Sequence, residues 1–405
     1  MSILNVSESL VFDNSIVKIE RHSHLPYSNS FNNNDEIRIP VQQTDIYTLP
    51  WASHIYVEGR VLKAADATVS RTAKFVNNFF CHLFEEIRFE IGGRIVDSIK
   101  NPGIAATMKG YVSYNENEIK KHKNAGWSMD NEFTCDIIDP ETGSFNVCVP
   151  LRTILGFAED FQKILINVKH ELVLLRSYTD QNAVINPTEG ENVSVTIDKM
   201  AWKLPHITVS DVERLDLLKI IESGAELDVG FRSWELTEYP TLQSAKQHTW
   251  TIKSAIQVER PRWIILAFST DRKGKLAKNY SLFDHCKIFN VKLYLNSEMY
   301  PYDNLNIDVS RGKTASLYEM YSEFQEGYYE KENEPLFSPK EFIANAPLIV
   351  IDCSRQNEIL NSGVIDVRLE FETKENVPAN TSAYCLIIHD KLIKYSPLIG
   401  SVRKV

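Results

Sequence analysis

The stretch Ile87-Arg-Phe-Glu-Ile-Gly-Gly-Arg-Ile-Val-Asp97 limits the possible folds more than any other. Ile87, Phe89 and Ile91 alternate with Arg88 and Glu90, the two-residue period of a strand with one buried face. Gly92-Gly93 accepts the positive φ angles of a tight hairpin turn, and Arg94-Ile95-Val96 starts a return strand. The same unit recurs about 200 residues later, at Val291-Lys-Leu-Tyr-Leu-Asn-Ser-Glu-Met-Tyr-Pro301. There Val291, Leu293 and Leu295 alternate with Lys292 and Tyr294, and Asn296-Ser297 takes the turn. The lead-ins correspond as well: Phe80-Cys-His-Leu-Phe84 stands opposite Asp284-His-Cys-Lys-Ile288.

Three further matches keep the same order, which separates a repeat from a chance likeness between hairpins. Tyr56–Arg60 aligns with Ile264–Phe268, His170–Leu174 with Val367–Phe371, and Val195–Pro205 with Leu386–Pro397. The offset shrinks along the chain as loops shorten. Two copies of one β-rich unit account for this.

Taken in order, residues 1–35 read as an N-terminal arm. Short strands are possible at Leu10–Phe12 and Ile16–Ile19, and the polar stretch Ser28–Asn34 reads as a loop. Strands follow at Ile37–Ile39, Tyr47–Pro50 and His54–Leu62. Helical spacing of Phe75, Phe79 and Leu83 makes a helix plausible over Thr72–Phe84. After the first hairpin the period changes: Ile104, Met108, Tyr111, Val112 and Ile119 fall on one helical face, with Asn101 as N-cap and Pro102 at the first position. Leu317, Met320, Tyr321 and Phe324 mark a matching helix in the second copy. Asn124–Asp139 is an irregular excursion. A short helix fits within Pro150–Leu165, and strands fit at Phe145–Val149, Ile166–Arg176 and Val193–Leu204. Val212, Leu215, Leu218 and Ile221 give a short amphipathic helix capped by Ser210, with Gly224 beyond its end.

Each copy thus offers about eight strands with few helices, the arithmetic of an antiparallel jelly roll with two facing four-stranded sheets. The expected fold is all-β: two tandem eight-stranded antiparallel jelly rolls with short helices in the connections. The expected division is an arm at 1–35, a first jelly roll at 36–210, a junction at 211–245 and a second jelly roll at 246–405.

The net charge of −10 argues against a protein that grips nucleic acid through its backbone. The densest basic patch, Lys120-Lys121-His122-Lys123, suits a helix C-terminus. The six cysteines lack CxxC spacing, the first ten residues lack a signal-peptide pattern, and no apolar run approaches the roughly 20 residues of a membrane span. Reduced thiols in an intracellular setting are expected.

No catalytic constellation is evident: there is no GxSxG elbow, no phosphate loop and no dinucleotide fingerprint. His22-Ser-His24 resembles the HxH of metal-binding cupins, but no acidic residue follows at the right spacing. Cys81-His82 and His285-Cys286 hold matched positions in the two copies, which places them too far apart to share an ion. Glu85-Glu86 are adjacent on a strand and so face opposite ways. Trp202 and Tyr395, near-matched in the last strands, read as core or interface anchors. No catalytic, cofactor-binding or metal-binding residue is assigned, and no cofactor is expected.

Ile39-Pro-Val-Gln-Gln-Thr-Asp-Ile-Tyr-Thr-Leu-Pro50, Tyr56-Val-Glu-Gly59, Phe89-Glu-Ile-Gly-Gly93, Leu155-Gly-Phe157 and Glu171-Leu-Val-Leu174 together carry a family likeness. Over roughly residues 36–400 the chain resembles the double jelly-roll major capsid proteins of Polinton/Maverick-type elements and adintoviruses, and their relatives in insect genomes. The resemblance implies a structural, non-enzymatic protein of the virion. It implies homotrimers whose six lobes form a pseudo-hexagonal tile of an icosahedral shell, with neighbouring capsomers and a penton or minor capsid protein as partners. The absence of long insertions between strands implies a low capsomer top. Asn124–Asp139, the N-terminal arm and the 206–245 junction are the contact surfaces suggested by loop length. Two other readings remain: a host-domesticated interaction protein of the same fold, and a jelly-roll enzyme or glycan-binding module.

Overall fold

The computed structural model describes residues 14–43, 45–130, 132–252, 261–296, 298–355 and 365–404. The possible strand at Leu10–Phe12 and Ser297 of the second turn lie outside the described residues.

The first half contains eight principal strands: β1 (Ile16–His24), β2 (Glu36–Val41), β3 (His54–Lys63), β4 (Phe84–Ile91), β5 (Arg94–Lys100), β6 (Ser144–Pro150), β7 (His170–Arg176) and β8 (Val193–Val209). They pair antiparallel as two sheets, β1-β8-β3-β6 and β2-β7-β4-β5. The second half contains β9 (Leu227–Tyr239), β10 (Gln247–Ile252), β11 (Pro261–Thr270), β12 (Ile288–Leu295), β13 (Glu298–Tyr300), β14 (Ile349–Asp352), β15 (Val367–Thr373) and β16 (Thr381–Ser396). Its sheets are β9-β16-β11-β14 and β10-β15-β12-β13. Numbered within each half, both orders are 1-8-3-6 and 2-7-4-5. The two lobes therefore share one jelly-roll topology, and the four sequence matches fall on strand pairs 3, 4–5, 7 and 8 of each.

The hairpin forms for the reason its residues suggest. Gly92 and Gly93 hold φ of 57° and 75°, and Ile87, Phe89 and Ile91 are fully buried between the sheets. On the outer face, Arg38 of β2 meets Glu171 of β7 at 3.0 Å and Arg88 of β4 meets Glu36 of β2 at 2.7 Å, a cross-strand charge ladder. Trp202 and Tyr395 are both buried in their lobes' cores.

The helices lie in the connections: α1 (Pro102–Ser113) and α2 (Glu116–His122) between strands 5 and 6, α3 (Gly156–Asp160) between strands 6 and 7, and α4 (Asp211–Glu222) between the lobes. In the second lobe α5 (Ala315–Ser322), α6 (Phe324–Tyr329) and α7 (Pro339–Asn345) again fill the connection between strands 5 and 6. Ser210 caps α4 by accepting from the Glu213 amide, and Gly224 follows it at φ 67°.

Five expectations change. Residues 16–24, placed in the arm, are the first strand of the first lobe, and 227–239, placed in the junction, are the first strand of the second. Both are edge strands, whose polar outer sides blur the alternation that marks central strands. The helix considered over Thr72–Phe84 shrinks to one turn at Phe79–His82, because Asn78 turns left-handed at φ 55° after the short strand Lys74–Val76. The helix after Pro102 has no exposed face: all twelve residues of α1 are buried, and Tyr114 separates it from α2, which Asn115 and Glu118 start with a capping box. Asn101 occupies the N-cap position of α1 at φ 47°, but its side chain bonds Glu238 rather than the helix.

Candidate functional site: the seam between the lobes

The helix α3 rests against the edge strand β9, so the first lobe covers the unpaired side of the second lobe's outermost strand. The approach is close because Gly156 has no side chain: a Cβ there would lie 1.8 Å from the Arg232 carbonyl oxygen. Asp160 then accepts the Arg232 amide at 2.8 Å and holds its guanidinium through Nε at 2.9 Å and Nη2 at 2.6 Å. This fork pairing is the strong form of a charge-assisted bond. Beside it, buried Asp97 of β5 accepts from the Phe157 amide at 2.9 Å and the Ser233 hydroxyl at 2.6 Å. Burial pushes the Asp97 carboxyl up from its ordinary value, and these donors and the Lys391 charge oppose that rise.

Deeper in the seam, Lys109 of α1 is 3% exposed. Its ammonium donates to the Tyr329 hydroxyl at 2.7 Å, Ser113 Oγ at 2.9 Å and Glu159 Oε1 at 3.2 Å. It also lies 4.1 Å from the Tyr328 ring centroid and 4.9 Å from that of Trp234. Burial lowers its pKa to about 8, against the pull of Glu159. A charge in this position survives because carboxylate, hydroxyls and ring faces replace its water. No substrate could reach the ammonium, so the arrangement joins the lobes and has no access for chemistry.

The connections between strands add a third layer. The Tyr321 hydroxyl donates to the Tyr111 carbonyl at 3.1 Å. The excursion 124–139, expected to offer an external contact, is in part covered by the second lobe. Trp127 and Phe133 are buried, and Asn279 of the second lobe donates to the Glu132 and Phe133 carbonyls, both at 3.0 Å.

The histidines and cysteines singled out in the sequence do not converge on a site. His22 stacks on His206 at 4.1 Å, and His24 lies 3.0 Å from His206 through their Nε2 atoms. Cys81 and His82 are buried, and no two cysteines are bridged. Among the described residues no group of three or more His, Cys, Asp or Glu could hold a metal ion. No helix among them is long and apolar enough to cross a membrane. The seam residues Asp97, Lys109, Glu159, Asp160 and Arg232 were not legible as a set. Lys109 alone left a mark, as a single charge in the apolar run Ile104–Val112.

A family model described as a double jelly roll-like domain matches residues 73–393. The chain belongs to that family. Solved structures share its fold at low identity. The mavirus major capsid protein is 11% identical over 100% of this chain and 93% of its own, with a TM-score of 0.59. The faustovirus major capsid protein is 10% identical over 97% and 92%, with a TM-score of 0.62. PBCV-1 VP54, as fitted into a reconstruction of the virophage Sputnik, is 11% identical over 98% and 99%, with a TM-score of 0.63. No curated protein matches the chain in sequence. Among the large apolar side chains left exposed are Ile16, Val17 and Ile19 of β1 and Val212 and Leu215 of α4.

Proposed function

We propose that this chain is the major structural protein of an icosahedral shell, a non-enzymatic component of a virion. The observation that carries this reading is the seam. Two lobes of one topology are held side by side through Asp160–Arg232 and Lys109–Tyr329, so one chain supplies two neighbouring lobes of a larger ring. Three chains give six lobes and a pseudo-hexagonal tile, and a closed ring covers edges that a single chain leaves open. The solved relatives named as major capsid proteins have the same fold over nearly their whole length, which supports the same role here.

The lobes we assign are about residues 14–210 and 225–404, with α4 between them. The net charge of −10 leaves genome contact to another protein, and a penton or minor capsid protein would fill positions that a six-lobed tile cannot. Negative-stain electron microscopy of the purified protein tests the role. Hexagonally tiled sheets or closed shells are the expected product. A preparation that stays dispersed as single chains at high concentration would overturn it.

A further inference from the structure

Within the chain, the second lobe inserts a loop into the first. The loop is the connection between strands 3 and 4, residues 271–287, and its outer part enters a cleft with three walls. Tyr280 lies against His82 on the corner before strand 4, with ring centroids 5.4 Å apart. Asn279 bonds the Glu132 and Phe133 carbonyls in the connection between strands 5 and 6. The Gly274 amide donates to Asn182 Oδ1 at 2.8 Å, and the Asn186 amide to the Leu276 carbonyl at 2.8 Å, both in the connection between strands 7 and 8.

The second lobe has the corresponding cleft, and in a single chain it is open. Its walls are the corner Asp284–Lys287, helix α7 and the loop Glu375–Pro378. These are the same three connections, and the space between them is about 470 Å³. The first lobe has the corresponding loop, residues 64–83, and in a single chain its tip projects into solvent. Ala64 through Thr68 are exposed. The tip is nonetheless held in shape: Asp66 accepts from the Thr68 amide at 3.0 Å and its hydroxyl at 2.7 Å, and the Ala64 amide donates to the Asn192 carbonyl at 2.9 Å. A loop ordered before contact loses little conformational freedom on docking.

We infer that the open cleft of the second lobe receives the 64–72 loop of the first lobe from another copy of this chain. The occupant is identified by the filled cleft in the same molecule: the loop that fills it is the topological counterpart of the exposed one. The contact is heterologous, loop of one copy into cleft of the next, and such contacts close into rings when the rotation between lobes divides a full turn. This rests on the trimeric reading above and specifies the surface that closes the ring.

Two measurements on the full chain test it. Chains of two isotopic compositions, mixed before assembly and treated with a lysine-reactive cross-linker, should yield mixed-isotope products joining Lys63 or Lys74 to Lys287 or Lys340. Ala344→Trp places a large side chain in the open cleft at an exposed position, so folding should be unaffected while the light-scattering mass drops threefold to that of one chain. A trimer that persists in A344W, with mixed products confined to other lysines, would overturn this inference and leave the trimeric reading intact. A wild-type protein that is itself a single chain would overturn both.

Discussion

Asp160 of the first lobe and Arg232 of the second are joined by three hydrogen bonds, one to the Arg232 amide and two to its guanidinium. The aspartate thus serves the edge of β9 as a missing neighbouring strand would. Asp160→Ala strands both a half-buried guanidinium and a strand amide, and should cost about 3 kcal/mol of stability in urea unfolding. Gly156→Ala, which cannot seat α3 against the Arg232 carbonyl, should cost at least as much. Equal midpoints for wild type and both variants would show that the seam contributes nothing to folding.

Lys109 carries a signed pH dependence. Its pKa is lowered from 10.5 to about 8 in the folded chain, so the unfolded chain holds the proton more tightly. Below about pH 8 the buried charge costs about 3 kcal/mol, and this cost is relieved as pH rises toward 10.5. Lys109→Met should remove that rise. The difference in unfolding free energy between the two proteins should change by up to about 1.4 kcal/mol per pH unit over this window.

His82 acts in the acid range. Burial lowers its pKa from 6.5 to about 3, and its Nε2 lacks a hydrogen-bond partner. A histidine kept neutral by folding contributes stability that is present above pH 6.5 and is lost as pH falls toward 3. His82→Phe should match wild type near pH 7 and resist acid better. Chemical unfolding at pH 7, 5.5 and 4.5 would show the widening gap.

The hairpin tip distinguishes two adjacent glycines. Gly93 at φ 75° has open space around it, whereas a Cβ on Gly92 at φ 57° would lie 2.2 Å from the Gly400 carbonyl oxygen of the second lobe. Asparagine tolerates positive φ, so Gly93→Asn should cost under about 1 kcal/mol. Gly92→Asn must also displace the turn at Gly400 and should cost at least about twice that, as read by thermal unfolding.

The repeat was legible because its marks are local. Alternation in β4 and β12, the glycine turn and the last strand of each lobe are written within about ten consecutive residues. The edge strands β1 and β9 were not legible as part of the lobes. Their polar residues face outward or toward the other lobe, and only the pairing with β8 and β16 reveals them. The seam was hidden for a related reason. Asp97, Asp160 and Arg232 stand far apart in sequence, and each alone resembles an ordinary surface charge. Residues 124–139 look like a free loop by composition, and the contacts of the second lobe's Asn279 and Phe337 show that they are covered in part.

The most direct measurement is single-particle electron cryo-microscopy of the purified wild-type chain. Particles with threefold symmetry and six lobes of alternating type around the axis are the expected result, with residues 64–72 of each chain seated against α7 of its neighbour. Single two-lobed particles, or rings containing a number of lobes other than six, would contradict the claim that this duplicated chain builds a pseudo-hexagonal tile.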